Sequence, residues 1–156
     1  MLEKEYWIIF TQGITHWITR WLKRDFSHIW LLTKDEFNWI AINPTRRYLQ
    51  FEILPLSIAE DPFKHYDIKA GAILKITFTN RDDKTQFGSV GLLNCVTWSK
   101  YVLGLRIWCL TPFGLYRRLL RFKPDDLAKH NIKSIEVHND WSRNALEQRL
   151  ERATKD

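Results

Sequence analysis

An α+β fold is what this sequence predicts: a small antiparallel sheet of four to six strands with helices packed against it. Three features lead there. Apolar runs of strand length succeed one another between residues 6 and 54, parted by short polar turns. Residues 72–79 alternate strictly, with Leu74, Ile76 and Phe78 set against Ile73, Lys75, Thr77 and Thr79. Two later segments carry helix-start and helix-stop residues. The chain has 156 residues, the size of one domain, and a domain of that size buries roughly 70% of its unfolded surface. Residues 1–138 are therefore expected to form one domain, and residues 139–156 a charged C-terminal helix or arm.

The elements follow in order. The run Tyr6-Trp7-Ile8-Ile9-Phe10-Thr11 is a strand ended by Gln12-Gly13. Thr15 caps a short helix with Trp17, Ile18, Trp21 and Leu22 on one face. Residues 26–33 form a second strand that turns at Lys34-Asp35-Glu36. Residues 37–42 and 48–54 supply two more, separated by Asn43-Pro44-Thr45, and strands this close predict a meander. An irregular connection spans 56–71, then comes 72–79 as a half-buried strand, with a polar turn over 80–85. Asn94 caps a helix over 95–103 that Gly104 stops. Thr111-Pro112 opens another, running through Leu120, with proline at the first helical position. Beyond Pro124 the pieces are short, and Asp140 or Ser142 opens a terminal helix carrying Leu146 and Leu150.

Composition narrows the function. Hydrophobic residues are 45% and charged residues 27%, which excludes a disordered, collagen-like or coiled-coil body. The longest uncharged stretches are too short and too polar to span a bilayer, which takes about 20 apolar residues. No membrane partner is expected, and no apolar signal core follows the N-terminus. Two cysteines make no disulfide framework. His16, His65, His130 and His138 have no metal-ligand spacing, so neither metal nor cofactor is expected. Lys plus Arg is 24 against 18 for Asp plus Glu, leaving +6, a weak bias toward acidic partners. Eight tryptophans point to core packing or an interface.

Cys95 carries the chemistry. It follows Asn94 at the expected start of a helix, where unpaired N–H groups and the positive end of the helix dipole stabilise a thiolate. The thiolate is the nucleophile in cysteine hydrolases. The competing reading is an inert cysteine packed in the first helical turn, as free cysteines often are. His28, in an otherwise apolar strand, is a candidate general base or a structural core histidine. Asn43 at the end of the next strand is placed to orient the imidazole, though Asn-Pro also serves turns. Glu52 is a second candidate for the third position. Cys109, beside Trp108 and lacking a helix start, reads as core.

The order His28, Asn43, Cys95 resembles the circularly permuted papain-like hydrolases, the permuted branch of the NlpC/P60 superfamily with the relatives of lecithin–retinol acyltransferase. Ser27-His28-Ile29-Trp30 is similar to that family's histidine strand, and Asn94-Cys95-Val96-Thr97-Trp98-Ser99-Lys100 to its nucleophile helix. The segment from Gly91 through Leu103-Gly104 to Thr111-Pro112-Phe113-Gly114-Leu115-Tyr116 resembles small uncharacterised proteins of tailed bacteriophages. The resemblance covers about residues 26–120. It implies a permuted papain-like domain in which Cys95 is the nucleophile, His28 the base and Asn43 its orienter, acting on amide, peptide or thioester bonds through an acyl-enzyme. The backbone N–H of Cys95 is then the first oxyanion donor, with Gln12 and His16 as side-chain candidates.

The expected function is a phage-encoded cysteine hydrolase. The alternative is a catalytically idle, virion-associated protein of the same kind that docks to other tail or head proteins. Host cytoplasm or virion is the corresponding location. A third class is a basic module that binds DNA. Arg117, Arg118, Arg121 and Lys123, with Tyr116 and Phe122 nearby, resemble a phosphate-contacting face. Such a cluster is more commonly a solvated helix face, as are Arg20, Lys23 and Arg24, and no Gly-rich phosphate loop accompanies it.

Overall fold

A computed structural model of the chain describes residues 3–11, 26–45, 48–65, 70–79 and 94–139. The expected helix over 15–22, the terminal helix or arm beyond residue 139, and the turn over 80–85 lie outside the described residues. Strands β1 (Lys4–Thr11), β2 (His28–Lys34), β3 (Asn38–Pro44), β4 (Leu49–Ser57), β5 (Ala70–Phe78) and β6 (Ile132–Asn139) form one sheet in the order β4-β3-β2-β1-β5-β6. Every neighbouring pair is antiparallel. β2, β3 and β4 are the meander that their close spacing predicts, and β1 pairs antiparallel beside β2 to extend it.

Sheet, not helix, dominates, and this corrects the α+β expectation of helices packed on a small sheet. The six strands run seven to nine residues each, while α1 (Pro62–His65), α2 (Cys95–Leu103), α3 (Pro112–Leu119) and α4 (Pro124–Lys129) run four to nine. The excess of strand has two sources. β4 continues past Leu54 to Ser57, because Leu54 and Leu56 both reach the core. β6 is a whole strand in the short pieces after Pro124, its period hidden by Lys133, Glu136 and His138 at a sheet edge. β5 is also not half-buried. Leu74, Ile76 and Phe78 are buried on one face in the cluster that α2 and α3 cover, and Ile73 and Thr77 are buried on the other, where Ile73 joins Trp7 and Trp39.

Strand alternation sorts the core into two clusters. On the first face Tyr6, Ile8 and Phe10 join Ile29, Leu31, Ile42, Leu74 and Ile76, and Val96, Leu103, Leu115 and Leu119 of α2 and α3 pack onto them. The second face holds Trp7, Ile9, Leu32, Trp39, Ala41, Leu54 and Ile73, with Phe63 of α1 against it. Trp7 and Trp39 meet edge to face at 5.0 Å, and Lys34 lies over both rings. Lys34 and Lys75 are both paired with Glu5, which covers this cluster with charge while the lysine stems stay on the indoles.

Local signals explain the turns. Asp35 accepts from the backbone N–H groups of Phe37 and Asn38 at 2.7 and 2.6 Å, fixing the β2–β3 turn. Gly104 takes φ 65° and closes α2 with its N–H on the Tyr101 carbonyl at 3.0 Å. Thr111 caps α3 through its hydroxyl on the Gly114 N–H at 3.0 Å. No described helix is long and apolar enough to cross a membrane.

Candidate active site

The site sits where the β2–β3 ladder opens. Pairing between these strands ends at Leu31–Ile42, yet β2 reaches back to His28 and β3 runs on to Pro44. In that parted end the His28 Nε2 and the Asn43 Oδ1 lie 2.9 Å apart. An amide oxygen accepts only, so Nε2 is the protonated nitrogen and Nδ1 is left as the basic one. Asn43 thus holds the ring and sets its tautomer, the role expected for the third residue of a nucleophile–base pair. Glu52 stands opposite Ala41 on β4, exposed, while Gln50 is the residue opposite Asn43. Asn43, and not Glu52, bonds the imidazole.

Cys95 is the first residue of α2, which packs against both β2 and β3. Its placement comes from the cap. Asn94 Oδ1 accepts from the Thr97 N–H at 2.9 Å and from the Thr97 hydroxyl at 3.2 Å, so the first turn is fixed by one side chain. Replacing Asn94 by Ala is expected to lower stability by about 1 kcal/mol, read from the urea midpoint, and an unchanged midpoint would mean the cap holds nothing. At the far end of the helix, Lys100 Nζ donates to the Ile107 and Cys109 carbonyls, both at 3.2 Å, tying the next segment to α2.

The Cys95 thiol meets β2 at the backbone of Ile29. The Ile29, Val96 and Cys95 N–H groups face the sulfur and favour its thiolate, but burial outweighs them and pushes the thiol pKa up. A helix start alone predicts the opposite direction, and desolvation is the physical reason for the difference. Burial likewise pushes the His28 imidazole down, partly offset by the bond to Asn43. Both groups therefore rest neutral near pH 7, without a preformed thiolate–imidazolium pair.

Alternation also separates them. Ile29 and Leu31 lie on the face that α2 covers, so His28 shares the other face with Leu32, and Asn43 with Ala41 and Trp39. Among the described residues no hydrogen bond joins Cys95 to His28. The structure brings His28 and Asn43 together and places the thiol beside the peptide that links His28 to Ile29. Cys109 is buried, consistent with the core reading. Gln12 and His16 lie outside the described residues. The described residues hold no cluster of three His, Cys, Asp or Glu able to take a metal ion. One contributor has no motif signal, the Ile29 amide, and only strand pairing could have pointed to it.

The depressed imidazole makes stability depend on pH. Its folded pKa lies below the ordinary value, so the unfolded chain takes up the proton first as pH falls through about 6.5. Stability is therefore full above that value and falls below it. His28→Gln is expected to lose part of the drop in urea midpoint between pH 7.5 and 5.5, and an equal drop in both proteins would remove His28 as its source.

Comparison with protein-family models, with curated proteins and with solved structures finds no match to this chain.

Proposed function

We propose that the protein is a cysteine hydrolase of the permuted papain-like type, acting on an amide, peptide or thioester bond, with Cys95 as nucleophile, His28 as base and Asn43 as orienter. The observation that carries this reading is the 2.9 Å His28–Asn43 contact, which leaves Nδ1 basic one residue from the Ile29 amide that faces the Cys95 sulfur. With both groups neutral at rest, the proton moves during attack. The thiol proton passes to Nδ1 as sulfur bonds to the carbonyl carbon, and the oxyanion is met by the Cys95 N–H at the start of α2. Collapse expels the amine or thiol with the proton from His28. Water then attacks the acyl-enzyme with His28 again as base and releases the acid. The reading requires the His28 end of β2, beyond its last pair with β3 at Leu31–Ile42, to swing so that the imidazole reaches the α2 face and the Cys95 sulfur. A phage origin, with action in the host cytoplasm or from the virion, belongs to the same reading.

The test is acyl transfer from p-nitrophenyl acetate and from simple thioesters, with Cys109 changed to Ser. An acyl adduct on Cys95 that forms and then hydrolyses, with hydrolysis lost in His28→Ala, is the expected result. The raised thiol pKa and the missing Cys95–His28 bond favour a second reading, a catalytically idle virion-associated protein that keeps the site without using it. An adduct that forms no faster than on an unfolded thiol and never turns over would select that reading.

A further inference from the structure

β4 is one edge of the sheet, with β3 as its one neighbour among the described strands. The direction of its backbone groups follows from the ladders. The Thr45 N–H bonds the Tyr48 carbonyl at 2.9 Å, so that facing pair is a hydrogen-bonded one. Bonded and unbonded pairs alternate along an antiparallel ladder. Asn43–Gln50 and Ala41–Glu52 are therefore bonded, while Pro44–Leu49, Ile42–Phe51 and Ile40–Ile53 are not. The β2 side gives the same phase. There the Asp35 N–H bonds the Asn38 carbonyl at 3.0 Å, which directs the backbone of Ile40 and Ile42 toward Thr33 and Leu31. Leu49, Phe51 and Ile53 consequently turn their N–H and C=O groups outward, away from β3. Pro55 has no N–H to offer and ends this free run.

The side chains of the same three residues lie on the sheet face where α2 packs over β2 and β3. Leu49 rests on that cluster, yet Phe51 is 63% and Ile53 66% exposed. From Leu49 to Ser57 the strand carries no lysine or arginine, although charge is the common guard of an open edge. The opposite edge is built otherwise. β6 has Lys133, Glu136 and His138 along it, and α4 packs against it. An unguarded row of backbone donors and acceptors, flanked by exposed apolar side chains, is a template for another strand.

We propose that β4 of a second copy of this chain pairs with it, antiparallel and about a two-fold axis at Phe51. In that register Phe51 faces the partner's Phe51 and exchanges both backbone bonds with it, and Leu49 does the same with the partner's Ile53. The apolar side chains then meet on one face. On the other, Gln50 stands opposite the partner's Glu52 at an unbonded pair, where side chains come closest. The amide N–H donates to the carboxylate there, once on each side of the axis. This self-complementarity singles out a second copy over an unrelated strand. An axis at Glu52 would set two carboxylates face to face. An axis at Gln50 would carry Ile53 past Leu49, where the partner's β4 begins. Pairing about the axis at Phe51 uses both β4 edges and closes as a dimer.

The test is sedimentation velocity of the full chain across the micromolar range, in reductant, with circular dichroism on each variant. A reversible monomer–dimer equilibrium is expected. Gln50→Lys puts a cation opposite Glu52 and should tighten the dimer about two- to tenfold. Gln50→Glu puts a like charge there and should weaken it by a similar factor. Phe51→Lys sets two ammonium groups across the axis. Its dimer should be lost and its fold kept, because this side chain is exposed in the monomer. Cys95→Ala should dimerise as the wild type does, which keeps this result separate from the hydrolase reading. A wild-type chain that stays monomeric overturns the proposal, as does a dimer that survives Phe51→Lys with native circular dichroism. Association that runs on beyond the dimer, or Gln50 variants without opposite effects, overturns it too.

Discussion

Cys95→Ala is expected to abolish acyl hydrolysis, a loss of about 10⁴-fold or more, while moving stability by no more than about 1 kcal/mol. The two halves of that expectation have separate causes. Without sulfur there is no acyl-enzyme, and what remains is the modest catalysis of bound, oriented substrate. Stability is spared because the thiol is half-buried and its departure leaves the Asn94 cap on the Thr97 N–H intact. His28→Ala removes the base and is expected to cost about 10²- to 10⁴-fold. A Cys95→Ala protein that fails to fold would show that the residue serves packing in the first turn of α2. One that keeps full activity would show that catalysis, if present, lies elsewhere.

Phe26→Ala carries the largest expected loss of stability, about 3–5 kcal/mol. Phe26 is fully buried just before β2 and, among the described residues, packs on the rings of Phe10 of β1 at 5.5 Å, Phe113 of α3 at 5.1 Å and Tyr116 of α3 at 5.0 Å. Truncation leaves a cavity between sheet and helix that neither can close without moving, because β1 is fixed by ladders on both sides. For a chain of this length the loss corresponds to roughly 10 °C in Tm. It also loosens the segment that sets His28, so the activity of any folded fraction should fall with it. A loss under about 1 kcal/mol in urea denaturation would mean that α3 is not anchored to the sheet through this ring.

The sequence makes local pieces legible where the local code is strong. Asn94 and Gly104 bracket α2 and Thr111-Pro112 opens α3, because caps and stops act within one turn. The meander is readable from turn residues such as Asp35. What escaped depends on neighbours far along the chain. β6 carries Lys133 and Glu136 three residues apart, which breaks its alternation, and it becomes a strand only because β5 offers it an edge. β5 appears half-buried from its alternation, yet Ile73 is buried on its second face among residues far along the chain such as Trp7 and Trp39. The same holds at the site: His28, Asn43 and Cys95 stand out by residue type and order, and the His28–Asn43 contact follows from neighbouring strands. The direction of the Cys95 pKa does not, because burial against β2 and β3 competes with the helix terminus, and no local pattern reports their balance. Nor does residue order reveal that alternation sets His28 on the face away from α2.

That separation makes the working link between Cys95 and His28 the claim most in need of a direct measurement. The rate of Cys95 alkylation by iodoacetamide from pH 5 to 10, in a Cys109→Ser background with and without His28→Ala, measures it. A working link predicts a limb below the thiol pKa that rises with deprotonation of the imidazole, on top of a thiolate limb that begins above the ordinary value of about 8.5. His28→Ala should erase the first limb and keep the second. Two superimposable profiles, or labelling that appears only when the protein unfolds, would contradict the link and leave Cys95 as a packing residue.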